Sequence, residues 1–76
     1  MAQDTFIVRS VDEFFDVANG TVLLKCVDDS MVMIAAEEYV DGKRKIAKAL
    51  GIAPGEVSLD GMTLTLDSDG APVIPA

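Results

Sequence analysis

Side chains that could perform catalytic chemistry are sparse in this chain. It contains no histidine, and its single cysteine, Cys26, lies within an apolar segment. A nucleophilic serine or cysteine needs a neighbouring base, and a tightly held zinc ion needs histidine or cysteine ligands. We therefore expect no catalytic residue, no metal site and no cofactor, and we predict that the protein is not an enzyme.

Carboxylates are the remaining candidates for chemistry. Asp12, Glu13 and Asp16 stand close together and could hold a divalent cation or act as an acid–base pair. They also fall in the first turns of a predicted helix, where negative charge is favourable without any ligand. Nothing in the sequence buries them, so we interpret them as a solvated face. On that interpretation, Asp12 and Asp16 are candidates for contacting a basic surface on a partner protein.

One serine lies in a context that resembles a known modification site. Asp29-Ser30-Met31 resembles the Asp-Ser-Leu/Met signature of acyl carrier proteins, small acidic proteins whose serine carries phosphopantetheine at the start of a helix. The resemblance implies a carrier-type domain modified on Ser30, which we keep as an alternative function. It covers three residues, and that family is entirely helical, whereas several segments of this chain are typical of strands.

The composition indicates one small acidic domain. The chain has 76 residues, half of them hydrophobic, and a net charge of −7. A chain of this size buries only about 60% of its unfolded surface, so some apolar side chains should remain accessible to a partner. The negative charge disfavours nucleic-acid binding, and no apolar run approaches the roughly 20 residues that span a membrane. One cysteine allows no internal disulfide and Met1–Asp4 does not resemble a targeting segment, so we expect a cytoplasmic protein.

The beginning of the chain is predicted to form a strand and then a helix. Residues 5–9 are β-branched and aromatic, which is typical of a strand. Ser10 and Glu13 match a capping box, which marks the start of a helix. Four apolar residues then repeat at helical spacing: Val11, Phe14, Phe15 and Ala18. The pattern predicts a helix over residues 11–18, with Gly20 ending it.

The rest of the chain is predicted to form strands around a second helix. Four segments have strand character: residues 21–27, 31–36, 56–60 and 62–66. The first two form a predicted hairpin, although the second of them could instead begin the following helix. The last two flank Asp60-Gly61, a strong hairpin signal. Residues 37–50 are predicted to be an amphipathic helix that ends at Gly51. Residues 71–76 contain two prolines and are predicted to be an edge segment or a loose tail.

These elements follow the order β-α-β-β-α-β, with one further strand at the end. The order predicts a single α+β domain over residues 1–76. We expect a small two-layer sandwich in which both helices cover one face of an antiparallel sheet, as in the ferredoxin-like fold.

The predicted hairpin of residues 21–27 and 31–36 carries the functional prediction. It is apolar at nearly every position, so both of its faces need cover, and the helices supply cover on one face only. We predict that the second face, with Leu23, Val32 and Ile34, contacts a twin subunit or another protein. The predicted function is a non-enzymatic protein-binding module of the accessory, adaptor or inhibitor type that forms a homodimer. A non-catalytic subunit of an enzyme complex is the other alternative.

Overall fold

The structure is a computed structural model that describes residues 5–75, and Met1–Asp4 and Ala76 lie outside the described residues. It is an α+β domain in which one five-stranded antiparallel sheet packs against one helix. The elements are β1 (Phe6–Asp16), β2 (Thr21–Cys26), β3 (Met31–Ala35), α1 (Ala36–Leu50), a 3₁₀ turn (Pro54–Glu56), β4 (Thr63–Leu66) and β5 (Pro72–Val73). The strands lie in the order β3-β2-β1-β4-β5. The predicted α+β class is thus confirmed, and the ferredoxin-like arrangement of two helices is not.

The predicted helix over residues 11–18 is wrong, because β1 continues through most of that range to Asp16. Val11 pairs with Leu24 of β2, and Asp12 pairs with Leu23. Long-range pairing with an apolar neighbouring strand therefore overrides the local helical pattern, whose propensity is a weak constraint by itself. The capping box does not form either. Ser10 lies in the ladder with β2, and the Glu13 carboxylate accepts a hydrogen bond from Tyr39 of α1.

The core lies between α1 and one face of the sheet. Val8, Leu24 and Leu64 face the helix from three adjacent strands and are fully buried. Ile46 and Ala47 pack on them from α1. Successive residues of a strand point to opposite faces, and residues 5–75 contain no second α-helix to cover the face away from α1, which we call the uncovered face.

The predicted hairpin of residues 21–27 and 31–36 is confirmed as β2 and β3. Asp29 takes a positive φ of 68° in the turn between them. The Asp28 carboxylate accepts hydrogen bonds from the amide of Ser30 at 3.0 Å and from its hydroxyl at 2.6 Å. These bonds lower the pKa of Asp28 below its usual value. The turn therefore satisfies its own polar groups and fixes the register of β3.

The predicted second helix is confirmed as α1, and its end follows the sequence signal. Gly51 has a left-handed conformation with φ 73°, and its amide bonds back to the carbonyl of Ala47. The chain then forms the 3₁₀ turn rather than the predicted strand over residues 56–60. Asp60 and Gly61 do form a turn, but β4 that follows it pairs with β1 and β5.

The end of the chain is held against the helix. Ala71 and Pro72 are buried, and β5 forms the edge of the sheet beside β4. Of the two predictions for residues 71–76, an edge segment is therefore the one that agrees with β5. Gly42, in the middle of α1, lies so close to Pro72 that a Cβ atom there would be 2.5 Å from the proline Cδ.

Candidate protein-interaction site

β3 is an edge strand without the usual protection. Its five residues, Met31–Ala35, include no proline and no charged side chain. Natural edge strands are commonly shortened, charged, interrupted by proline or covered, because their free backbone groups can pair with another chain. The opposite edge is protected in this way, since β5 has two residues, begins with a buried proline and packs against α1. We call Met31–Ala35 the β3 edge.

The three apolar residues predicted to share an exposed surface do not do so. Ile34 pairs with Val22 and Val32 pairs with Leu24, so both face α1 and pack on the core. Ile34 is only 3% exposed. Leu23 lies on the uncovered face but is 5% exposed, so it offers little surface. The prediction of one surface with all three residues is wrong, because Leu23 points to one face of the sheet and Val32 and Ile34 point to the other.

Sequence reasoning missed the residues that are exposed on this hairpin. Met31 and Met33 alternate with the buried positions of β3, and they are 65% and 68% exposed on the uncovered face. Methionine is flexible and polarizable, and it is common at surfaces that contact proteins. The sequence did contain a signal, because alternation along a strand places Met31 and Met33 on the opposite face from Val32 and Ile34.

The predicted acidic contacts have structural partners within the chain. Asp12 accepts a hydrogen bond from the amide of Phe14 at 3.0 Å. Asp16 accepts bonds from the amide and the side chain of Asn19 at 3.2 and 2.9 Å. Both carboxylates therefore stabilise the end of β1 and the turn to β2, and β2 separates them from the β3 edge.

A second candidate is a groove centred on Tyr39, where α1 meets the second half of β1. The Tyr39 hydroxyl donates a 2.7 Å hydrogen bond to Glu13 Oε2, although the two residues are 26 positions apart. Lys43 Nζ lies 5.5 Å from the centre of the tyrosine ring, within the range of a cation–π contact. Burial, followed by the bond to Glu13, raises the pKa of Tyr39 above its usual value.

Two cavities meet along this groove, which we call the Tyr39 groove. One, of about 490 Å³, lies between residues 10–14 of β1 and residues 57–60. The other, of about 530 Å³, lies against α1. Four residues line both cavities: Glu13, Phe14, Tyr39 and Lys43. Phe14 is 80% exposed, which is unusual for a phenylalanine and places an aromatic ring at the groove.

A cluster of charged side chains fixes the turn between β4 and β5. Lys45 forms ion pairs with Asp41 and Asp67, all at the surface. The bond from Lys45, together with bonds from the amides of Ala71 and Asp69, lowers the pKa of Asp67. This cluster is structural, since each partner in it is already engaged.

The remaining residues singled out in the sequence lie apart from these sites. Ser30 is in the β2–β3 turn and precedes a strand, whereas the carrier-protein signature places its serine before a helix. Cys26 is buried on β2. Within residues 5–75, no three acidic or cysteine side chains come together to hold a metal ion, and no helix has the length and apolar character to cross a membrane.

Comparison with known proteins returned no match. No protein-family model fits the chain, and no curated protein and no solved structure is significantly similar to it. The arguments for function therefore come from the geometry of the chain.

Proposed function

We propose that this chain is a non-enzymatic protein-binding module that forms a homodimer through the β3 edge. The observation that carries the proposal is the contrast between the two edges of the sheet. The β5 edge is short and blocked by proline, whereas the β3 edge is uncharged, free of proline and contains two exposed methionines. Such an edge is a ready template for a further strand.

A second copy fits this edge by symmetry. Two identical strands that pair antiparallel are related by a two-fold axis, so each contributes the same surface and the assembly closes. The register that uses all five residues places Met33 opposite Met33 of the second copy, and Met31 opposite Ala35 of the second copy. Backbone hydrogen bonds would join the two sheets, and the methionines would lose their exposure to water. An accessory, adaptor or inhibitor role is compatible with such a module, because each of them works by binding alone.

Charge opposes this association, and that gives it a recognisable signature. Each chain carries a net charge of −7. The antiparallel register brings Asp28 and Asp29, before β3, towards Glu37 and Glu38 of the second copy, after β3. Salt screens repulsion between exposed charges over about 8–10 Å, so the dimer should become stronger as salt rises. Attraction between an acidic face and a basic partner would show the opposite dependence.

Sedimentation equilibrium over a range of protein concentrations tests the proposal. The expected result is a reversible dimer that tightens with salt and is lost in Met33→Lys, because a lysine on an edge strand blocks pairing. Val17→Lys is a matched control, since Val17 is also 68% exposed but lies in the β1–β2 turn. A parent protein that remains monomeric at high micromolar concentration, or a dimer that both variants retain equally, would refute the β3 edge as the interface.

A further inference from the structure

The second half of β1 has an open edge on the side away from β2. β4 pairs with β1 at Phe6 and Ile7, and the last contacts on that side join Val8 to Gly61 and Met62. Beyond Val8, β1 carries an irregularity before Ser10, and residues 57–60 follow a separate path. Within the described chain, no strand pairs with this side of residues 10–16. A cavity lies there instead, between residues 10–14 and residues 57–60.

The walls of this cavity come from both faces of the sheet, at the open edge of β1. Tyr39 and Lys43 line it from the helix, on the covered face of the sheet. Lys25 lines it as well, and the alternation of β2 places Lys25 on the uncovered face, because Leu24 and Cys26 point into the core. A cavity reached from both faces at a strand edge is where an added strand would lie. Extended peptides bind proteins in this way, with main-chain hydrogen bonds supplying affinity.

The charges of the Tyr39 groove suggest which peptide it accepts. Four of the six basic side chains form no ion pair with any described carboxylate: Lys25, Lys43, Arg44 and Lys48. Three of these four line the groove, in a protein where acids outnumber bases by more than two to one. Cations without a carboxylate partner in so acidic a chain indicate that the groove complements an acidic group.

The two ends of the groove differ in charge. The cavity against α1 is lined by Lys43 and Arg44, and its one acid, Glu13, already accepts the bond from Tyr39. The cavity beside residues 57–60 is lined by Asp12 and Asp60 in addition to Glu13, against Lys25 and Lys43. An acidic side chain is therefore favoured at the Lys43 and Arg44 end and disfavoured at the other.

The groove also has apolar walls. Phe14 and Tyr39 line both cavities, and Val22, Val40 and Pro54 line the cavity against α1. Aromatic residues beside an accessible groove are common centres of binding energy in protein interfaces. An apolar side chain of a bound peptide would cover Phe14, which is otherwise exposed to water.

We infer that the Tyr39 groove binds an extended segment of a partner protein, added as a strand to the open edge of β1, with an acidic residue at Lys43 and Arg44 and an apolar residue across Phe14. This inference goes beyond the proposed dimer, because the open part of β1 is on the opposite side of β2 from the β3 edge. The dimer and the bound peptide use different surfaces.

Selection from a library of random octapeptides displayed on phage tests the inference. Selected peptides should share an acidic residue beside an apolar one, and binding of synthetic copies should be measured by fluorescence anisotropy. The double variant Lys43→Glu with Arg44→Glu should weaken binding by about 10-fold or more, since it reverses the charge that meets the acid. Lys48→Glu is the control, because Lys48 is on the same helix but lines neither cavity.

Two further measurements separate strand addition from other modes of binding. Methylation of the peptide amides that face β1 should weaken binding by about 10-fold, because each removes a main-chain hydrogen bond. Amide chemical shifts should change at residues 10–14 and 57–60. The inference is overturned if no peptide is selected, if the charge-reversed and control variants bind alike, or if methylated peptides bind as tightly as their parents. Equal binding by a free carboxylic acid without the peptide would also overturn it. Thermal melts of each variant establish that it is folded.

Discussion

Replacing Gly42 by alanine provides a strict test of how the helix packs on the last strand. Gly42 lies in the interior of α1, where glycine is about 1 kcal/mol less favourable than alanine. By helix propensity alone, Gly42→Ala would therefore stabilise the protein. The structure predicts the opposite sign. An added Cβ would lie 2.5 Å from the Cδ and the carbonyl oxygen of Pro72, and 2.6 Å from its Cγ.

The size of the effect follows from what would have to move. The contacted atoms belong to a proline ring and to the backbone, so no flexible side chain can rotate away. Overpacking of this kind costs about 1–3 kcal/mol, and the upper end applies because Pro72 is buried. After subtracting the gain in helix propensity, we expect a net loss of about 2 kcal/mol. For a domain of this size that corresponds to a decrease in Tm of roughly 8–16 °C.

The assay is urea unfolding followed by far-ultraviolet circular dichroism, with Gly55→Ala as the matched control. Gly55 has no positive φ, and a Cβ atom there meets nothing within 4 Å. Alanine at that position should raise the free energy of unfolding by about 0.4–1 kcal/mol, because it restricts the unfolded chain. The two substitutions should thus act in opposite directions. If Gly42→Ala is as stable as Gly55→Ala, the close packing of α1 on β5 is refuted.

Two other predictions concern the core and the groove. Leu64→Ala should lower the free energy of unfolding by about 2–5 kcal/mol, whereas Phe14→Ala should change it by no more than about 0.5 kcal/mol, because one side chain is buried and the other is exposed. Urea unfolding measures both, and a large loss in Phe14→Ala would contradict the path of β1. Tyr39 is the only tyrosine, so ultraviolet absorbance reports its ionisation directly, and its pKa should lie above that of a free tyrosine. Above about pH 10 the unfolded chain releases this proton while the folded chain keeps it, so stability should fall as pH rises, and less steeply in Tyr39→Phe. A normal pKa would contradict the burial of Tyr39 against Glu13.

Several parts of the fold could be predicted because their signals are local. The helix α1 has an apolar stripe and a glycine at its end, and the β2–β3 hairpin has apolar strands around an Asp-Asp-Ser turn.

Residues 11–18 show why local signals were insufficient elsewhere. Val11, Phe14, Phe15 and Ala18 have helical spacing, yet the segment up to Asp16 is a strand because β2 pairs with it. The sequence does not record that pairing, since backbone hydrogen bonds carry no side-chain signature.

The candidate sites were harder to predict than the elements. The hairpin was expected to have a second apolar face, but the alternation of β3 places Met31 and Met33 there rather than Val32 and Ile34. The Tyr39 groove combines β1, α1 and residues 57–60, and its central bond joins Tyr39 to Glu13 across 26 positions. Glu13 was assigned to a helix cap, so its actual partner could not be found without the correct structure of β1.

The proline at the start of β5 has a consequence for how far association can proceed. Pro72 has no amide hydrogen and is buried beneath α1, so the sheet cannot grow at that edge. In the language of polymer chemistry, the outer edges of the sheet are monofunctional: the one at β3 is open to growth, and the one at β5 is terminated. Two such units joined at β3 have terminated ends on both sides. In the proposed dimer, growth at these two outer edges stops at two chains, so the apolar β3 edge does not extend into a fibre.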